Sequence, residues 1–432
     1  MAIDRTTQPP DDTTPPDVLL EHVRDLQAIL TVSRQLAGTT ELSPLLLVVE
    51  RAALEVLDCE RATVFVYDEP RNELVSRLAT GLDAFRVPAD RGIVGEAVRT
   101  REVVDVPDAY ADARFNRDVD QQTGFRTRNL LTLPLLGFDD RVVGVLQALN
   151  KRSGDFNAWD HELARAFADQ VGVALQRQLL LEHYATKKKI ESDLQTARDI
   201  QRGLLPGAPP AAGGIDVAGW NQPADETGGD FFDYFVRDDG SVALTIADAT
   251  GHGIGPALIA AQCRALFRAT ASGSDALEAM AERINDLMCA DLLDDRFATA
   301  VFGLLDVEQA AVQLVSAGHG PNIHYIAAED RFVELPAAGM PLGILPGIDF
   351  SEVHHVALAP GDLLVLITDG FFEWENHQSE ACGMQRLYAA MRGARGRSSA
   401  EIIEALHAAA REHGAGRPQN DDLTAVVVRR PA

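Results

Sequence analysis

Between about Leu42 and Leu181 the hydrophobic positions alternate between helical and strand spacing. Ser43-Pro44 reads as a helix start, with Ser as N-cap and Pro at the first helical position, followed by an apolar face at Leu47, Val48, Ala52, Leu54 and Leu57. Strand-like runs follow at Ala62 to Tyr67, Glu73 to Ala79, Val103 to Val106, Leu130 to Leu136 and Val142 to Asn150, and Trp159 to Leu181 reads as one long helix. A connection as short as Gly137-Phe138-Asp139-Asp140 joins antiparallel neighbours, so this segment is expected to be an α+β domain around a central antiparallel sheet.

From Glu182 to Leu205 the only Gly or Pro is Gly203, and Ile190, Leu194, Ala197 and Leu204 recur at steps of four, three and seven residues, with Gln201 in the remaining seam position. That spacing is an a/d seam, expected to pair as a dimeric coiled coil, with one amphipathic helix packed on a neighbouring domain as the alternative. GAPPAAGG after Leu205-Pro206 breaks the helix and marks a boundary.

In the last 227 residues, strands are expected at Ile215 to Trp220, Phe231 to Val236, Val242 to Ala247, Thr299 to Leu305, Val312 to Ser316, Leu363 to Thr368 and Leu423 to Val428. Helices are expected near Pro256 to Ala269, Ala276 to Ala290 and Ala400 to Glu412, the last with a capping box from Ser398 and Glu401. Strands in runs and helices in pairs predict two packed sheets flanked by helices, not a doubly wound parallel sheet. The divisions are a disordered tail over 1–20, rich in Pro, Thr and Asp, a first domain with flanking helices over 21–181, a linker over 182–205, and a second domain over 206–432.

Composition narrows the function. With 46% hydrophobic and 24% charged residues the chain is globular, and no apolar run approaches the ~18 residues a membrane span needs. The four cysteines, Cys59, Cys263, Cys289 and Cys382, have neither CxxC spacing nor disulfide density, which points to the cytoplasm. A net charge of −26 argues against nucleic acid and anionic membrane as partners. From Pro206 onward there are 14 Arg against 32 Asp and Glu, and no Lys, which excludes P-loop and protein-kinase chemistry.

Four carboxylates of the second domain share a setting at a strand end or beside a Gly-rich turn: Asp230 in GGDFFDYF, Asp248 in LTIADATGHG, Asp369 in LLVLITDGFFE and Asp421 in QNDDLTAVVV. Clustered at one sheet edge they would repel unless cations intervened, and an all-oxygen donor set suits Mg²⁺ or Mn²⁺. Two such ions can activate a water for attack on a phosphoryl group.

In this order the four motifs resemble the metal-dependent serine/threonine phosphatases of the PPM type, in their bacterial sporulation and stress-response branch, with ARDIQRGLLP resembling that branch's usual lead-in. The resemblance implies an α/β/β/α sandwich over 206–432, with Asp230, Asp248 and the Ala249 carbonyl binding two metal ions together with Asp369 and Asp421. Asp233 and Asp422 are expected to be structural. Eukaryotic relatives carry His two residues after the second motif's Asp, where this chain has Thr250, and a phosphate-clamping Arg that NQPADETGGD lacks. His252 is therefore expected to cap the turn before the Pro256 helix, and His319 to be a turn or core residue. The pair His354-His355 has no metal-ligand spacing.

Residues 42 to 181 resemble a GAF domain, most closely those of mammalian-type cyclic nucleotide phosphodiesterases, through the stretch from RGIVGEAVRT to LLTLPLL and through ALNKRSGDFNAWDHE. Asn150, Lys151, Phe156 and Asp160 match the GAF signature, with His161 in place of its final Glu. That signature implies a supporting Lys-to-Asp ion pair. Asp120, Thr123 and Thr127 match pocket positions of cyclic-nucleotide-binding relatives, and Gln147 stands where some have Glu. The resemblance implies a small-molecule sensor, with a cyclic nucleotide as one candidate ligand. Together the two halves lead to a GAF-regulated phosphoserine/phosphothreonine phosphatase, dimeric through the linker, acting on a phosphorylated anti-sigma-factor antagonist. A catalytically silent scaffold is the alternative.

Overall fold

The structure is a computed structural model that describes residues 16–78, 85–273, 276–292 and 296–432. It divides into two compact units, one up to Lys188 and one from Lys189 on.

The first unit runs α1 (Pro16–Gly38), α2 (Leu42–Val56), β1 (Cys59–Asp68), β2 (Glu73–Leu78), β3 (Arg86–Pro88), α3 (Gly92–Thr100), β4 (Val104–Val106), α4 (Asp118–Thr123), β5 (Leu130–Leu136), β6 (Val142–Lys151) and α5 (Ala158–Leu204). Its six strands form one sheet in the order β3-β2-β1-β6-β5-β4, with antiparallel pairing throughout. Leu36, Leu45, Val49, Leu133, Leu146, Phe167 and Val171 join α1, α2 and α5 to the sheet in one core. The close approach is permitted by Gly172, whose replacement by any larger residue would drive a Cβ into the Leu136 carbonyl.

Two expectations need correction. The first is the tail over 1–20: α1 begins at Pro16, and residues 1–15 lie outside the described residues. Second, α2 starts at Leu42 after an extended Glu41, so Ser43 is inside the helix and Pro44 sits in its first turn, where a missing N–H costs no hydrogen bond. The helix that starts at Ala158 and the linker helix form one element of 47 residues ending at Leu204, because Glu182 to Arg202 contains strong helix formers and no breaker.

The second unit contains, after the end of α5, β7 (Asp216–Gln222), β8 (Asp230–Val236), β9 (Val242–Ala249), α6 (Ile254–Ala271), α7 (Leu277–Asp291), β10 (Ala298–Asp306), β11 (Ala311–Ala317), β12 (Asn322–Ile326), β13 (Arg331–Leu335), β14 (His354–Ala357), β15 (Leu363–Ile367), α8 (Gly370–Glu373), α9 (Met384–Ala394), α10 (Ser399–Gly414) and β16 (Leu423–Arg429). Two five-stranded sheets form, β14-β11-β10-β9-β8 and β13-β12-β15-β16-β7. Their facing sides share a core of Phe232, Leu244, Ile246, Val301, Leu364, Leu366, Val426 and neighbours. The outer face of the first sheet packs on α6 and α7 through Cys263, Phe267, Ile284 and Phe302. That of the second packs on α8 to α10 through Phe371, Leu387, Ile403 and Leu406. This is the expected α/β/β/α sandwich. Strands such as β15 and the core of β9 are buried on both faces, as four layers require.

Candidate functional site

The two sheets bring their strand ends together at an acidic edge. Asp230 opens β8 and faces Asp248 of β9 directly across the antiparallel ladder. Asp369 follows β15, and Asp421 and Asp422 precede β16, which is the neighbour of β15. Asp230 is pushed well above the usual carboxylate range, first by burial and then by the Asp248 and Asp422 charges, while Thr368 and Thr424 oppose that shift. Asp248 is raised to about 7 by burial, with Asp369 and Asp421 adding repulsion. Asp369 is raised by burial and by Asp421 and Glu373. The four expected metal aspartates therefore belong to one electrostatic cluster.

Among the described residues, ion pairs near this edge end on other acids: His252 on Asp225, Arg264 and Arg268 on Asp233, and Arg417 on Glu375. Oδ2 of Asp230 is buried and makes no hydrogen bond. A sealed carboxylate oxygen with no donor and with further carboxylates as neighbours is a donor set suited to a hard cation. Among the described residues, however, no three His, Cys, Asp or Glu side chains are already arranged around a single ion.

The loop before Asp230 is held tightly. Asp422 accepts from the N–H of Ala224 at 2.8 Å and of Asp230 at 3.2 Å, so its oxygens are occupied by backbone. A Cβ on Gly228 would collide with the Asp422 carboxylate, and one on Gly229 with the Ala249 carbonyl. Asp233 points away from the site, bridging β8 to α6 through two 2.6 Å bonds from Arg268 and a 3.0 Å ion pair with Arg264. Both carboxylates are thus taken up by donors of the protein itself. The expected cap at His252 is not found: α6 starts at Ile254 behind Gly253, without a side-chain cap, and His252 is 88% exposed beside Asp225. His319 is buried with Nδ1 3.0 Å from Thr299 Oγ1, and burial lowers its pKa to about 4. His354 and His355 lie on β14 at the far edge of the first sheet from β8.

Reading the sequence missed the side chains that support the acids. Asn221 donates to Thr424 Oγ1 at 2.8 Å, and Thr368 Oγ1 receives the Thr424 N–H at 2.9 Å, which locks the β15–β16 end beneath Asp230. The signal was present in the Thr that immediately precedes Asp369 and the Thr two residues after Asp422.

In the first unit a cavity of about 410 Å³ is lined by Arg61, Phe125, Asp120, Thr127 and Gln147 among others. Three of the four expected pocket residues are thus brought together, and the side chain of Thr123 lies outside the described residues. Asp120 and Thr127 are engaged with each other. The Thr127 Oγ1 and N–H donate to the Asp120 carboxylate at 2.8 and 2.7 Å, and the Tyr110 hydroxyl adds a third bond at 3.1 Å. Gln147 donates to Thr132 Oγ1 at 3.1 Å, and the Arg61 guanidinium stacks over the Phe125 ring at 4.2 Å. The expected Lys-to-Asp pair is present, with Lys151 Nζ 2.8 Å from Asp160 Oδ1.

Comparison with known proteins agrees with both halves. The family model for the GAF domain matches residues 42–175, and that for stage II sporulation protein E (SpoIIE) matches 238–431. Phosphoserine phosphatase RsbU of Bacillus subtilis is 27% identical over 218 residues, covering 50% of this chain and 64% of the relative. A probable 3',5'-cyclic phosphodiesterase, pde-5 of Caenorhabditis elegans, is 31% identical over 144 residues, covering 30% of this chain and 20% of the relative. The chain thus spans less than two thirds of the length of either curated relative. Among solved structures, the SiaA-PP2C domain of Pseudomonas aeruginosa is 27% identical with a TM-score of 0.50, covering 57% of this chain and 98% of that domain. With its strand-end aspartates, its four-layer sandwich and the six-stranded sheet of its first unit, the chain joins a GAF domain to a SpoIIE-type PP2C phosphatase domain.

Proposed function

We propose that this chain is a metal-dependent phosphoserine/phosphothreonine protein phosphatase controlled by its GAF domain. The observation that carries this reading is the strand-end cluster of Asp230, Asp248, Asp369 and Asp421, in which burial and mutual repulsion raise Asp230, Asp248 and Asp369 and which has no cation partner among the described residues. These four carboxylates and the Ala249 carbonyl would hold two Mn²⁺ or Mg²⁺ ions. Ions bound there supply an activated water and offset charge on the phosphoryl group. The chain's own part is to fix the donors. Thr368, Thr424 and Asn221 brace the strand ends, and Asp422 holds the backbone of the Asp230 loop. His252, exposed on its turn, is not placed to carry a proton with precision.

The substrate we infer is a phosphorylated anti-sigma-factor antagonist, by the likeness to RsbU and to the stress-response branch. The GAF cavity would take a small molecule, with a cyclic nucleotide the first to test, given Arg61 and Gln147 among its mainly apolar lining and the likeness to pde-5. Among the described residues no helix is long and apolar enough to cross a membrane, and with four free cysteines this supports a cytoplasmic setting. Homodimerisation draws support from exposed Val173, Leu180 and Ile190 on α5. Val173, Leu180 and Leu194 share one heptad position, and Ile190 lies beside it on the same seam. A silent scaffold draws on the fact that no three acids are arranged around one ion among the described residues. Turnover of a phosphoserine peptide by the full chain with Mn²⁺, lost on chelation and in Asp248→Asn, supports the enzyme; no turnover at any Mn²⁺ concentration supports the scaffold.

A further inference from the structure

The seam reading places Gln201 facing a second copy of the helix, but its carboxamide is engaged elsewhere. Gln201 Nε2 donates to the Gly228 carbonyl at 2.6 Å, and its Oε1 accepts from the Gly228 N–H at 3.2 Å. The side chain thus pairs with one peptide residue as a neighbouring strand would. Gly228 is buried, so both of its backbone groups need partners inside the protein. Leu205, at the foot of the same helix, packs into the cores on both faces of the first sheet.

What Gln201 holds is the loop of the acidic site. On its other side Gly228 abuts the Asp422 carboxylate so closely that no Cβ fits. Gly229 abuts the Ala249 carbonyl and accepts from the Ala249 N–H at 3.2 Å. Asp230 follows, its N–H bonded to Asp422. A displacement of the Gly228 peptide therefore moves three groups together: the Asp230 carboxylate, the Ala249 carbonyl and the Asp422 brace. Two glycines make this loop intrinsically permissive, so an external clamp is needed to select one conformation.

We propose that Gln201 is a positioning residue for the metal site: by clamping the Gly228 peptide, the last turn of α5 sets the alignment of Asp230 with Ala249 and so the affinity for the ions. The assignment rests on the metal-dependent reading above. A carboxamide is required because it alone both donates and accepts at this reach. Glu at 201 would lack the donor for the Gly228 carbonyl and would add a negative charge, and Ala would leave both backbone groups unpartnered.

The test uses the full chain and measures Mn²⁺ binding by calorimetry, with hydrogen exchange at the Gly228 amide as an activity-independent readout. Gln201→Ala and Gln201→Glu are expected to weaken Mn²⁺ binding about 10-fold or more and to speed Gly228 exchange. Ile200→Ala, an exposed neighbour on the same turn, is expected to change neither. Near-UV circular dichroism of each variant checks that the fold persists; if the Gln201 variants do not fold, Gln201→Asn, too short to span both bonds, takes their place with the same expected loss. Wild-type Mn²⁺ affinity and unchanged Gly228 exchange in the folded variants would overturn the clamp. Asp248→Asn separates the two layers: loss of Mn²⁺ binding there with none at Gln201 sinks the clamp alone, whereas unaltered binding in Asp248→Asn sinks the metal assignment and the clamp with it.

Discussion

Lys151 Nζ lies 2.8 Å from Asp160 Oδ1, with side chains only 10% and 7% exposed, joining the last residue of the central strand β6 to the first turn of α5. Lys151 also donates to the Leu57 carbonyl at 3.2 Å, and Asp160 Oδ2 accepts from the Asn157 N–H at 2.9 Å. The pair is thus part of a satisfied polar network at the start of the long helix.

Because the pair is buried, removing one partner should cost more than removing both. Asp160→Leu is expected to destabilise the GAF unit by about 3 kcal/mol or more, since it strands an ammonium group. The double variant Lys151→Met/Asp160→Leu should recover much of that loss. Denaturation midpoints of the four proteins close the cycle, and an additive double variant would show that the pair has no special coupling.

For the acidic site, Asp248→Asn and Asp369→Asn keep volume and remove a charge. Each is expected to lower Mn²⁺-dependent turnover of a phosphoserine peptide by at least ~100-fold while the unfolding temperature is kept or raised, because both groups repel their neighbours. His252→Ala should stay within a few-fold of wild type. Full activity in either aspartate variant would remove that residue from the site.

In the GAF cavity, Asp120 and Thr127 are expected to matter for shape before ligand contact. Thr127→Val removes the 2.8 Å hydroxyl donor to Asp120 but leaves the backbone one. The loss in stability should be about 1 to 2 kcal/mol, with weakened binding of any cavity ligand in parallel. Arg61→Ala, by contrast, should weaken ligand binding with little effect on melting, because Arg61 lines the cavity over Phe125. Thermal shift and calorimetry with a cyclic nucleotide panel give the two readouts.

His319 yields a pH prediction with a definite sign. Its pKa is lowered to about 4 by burial, so between about 6.5 and 4 the unfolded chain takes up a proton that the folded chain refuses. Stability from this group is complete above about 6.5 and is lost as pH falls towards 4, by up to about 3 kcal/mol. The raised aspartates act in the opposite sense, so the quantity to measure is the difference between wild type and His319→Gln. That difference should shrink as pH falls from 7 to 4; a constant difference would show that His319 does not titrate in this way.

How much was legible in the sequence depended on the range of the interaction. The capping box of α10 was readable because it is local, and the Ser398 N–H does reach Glu401 at 2.9 Å. The strands β9, β10, β15 and β16 were readable because burial on both faces demands unbroken apolar runs. β13 and β14 were not, because short edge strands such as Arg331–Leu335 have only exposed and half-buried positions and need no unbroken apolar run. The proposed metal aspartates stood out as Asp at strand ends, with Asp230 and Asp369 next to Gly. Their braces at Asn221, Thr368 and Thr424 depend on pairing between strands distant in sequence, and Gln201 stayed open between a partner helix and its own chain because heptad spacing reports a helix face without naming what covers it.

The last prediction concerns that helix. α5 runs without a break from Ala158 to Leu204, so displacement of its upper turns has a covalent and hydrogen-bonded route to its final turn, where Gln201 meets Gly228. Ile190 is exposed and Leu194 and Ala197 are half-buried, which leaves the proposed seam free to meet a second copy, whereas Gln201 is committed to its own chain. The dimer seam should therefore end before Gln201. Leu194→Asp is then expected to shift the full chain towards monomer and to abolish the response of phosphatase rate to a GAF ligand, a response of about 5- to 150-fold in the wild type. Gln201→Ala should leave dimerisation intact while lowering the rate in both ligand states. Light scattering gives the first quantity and turnover with and without ligand the second. A wild-type monomer at micromolar concentration, or a Leu194→Asp protein that still answers the ligand, would mean that signal passes without the seam.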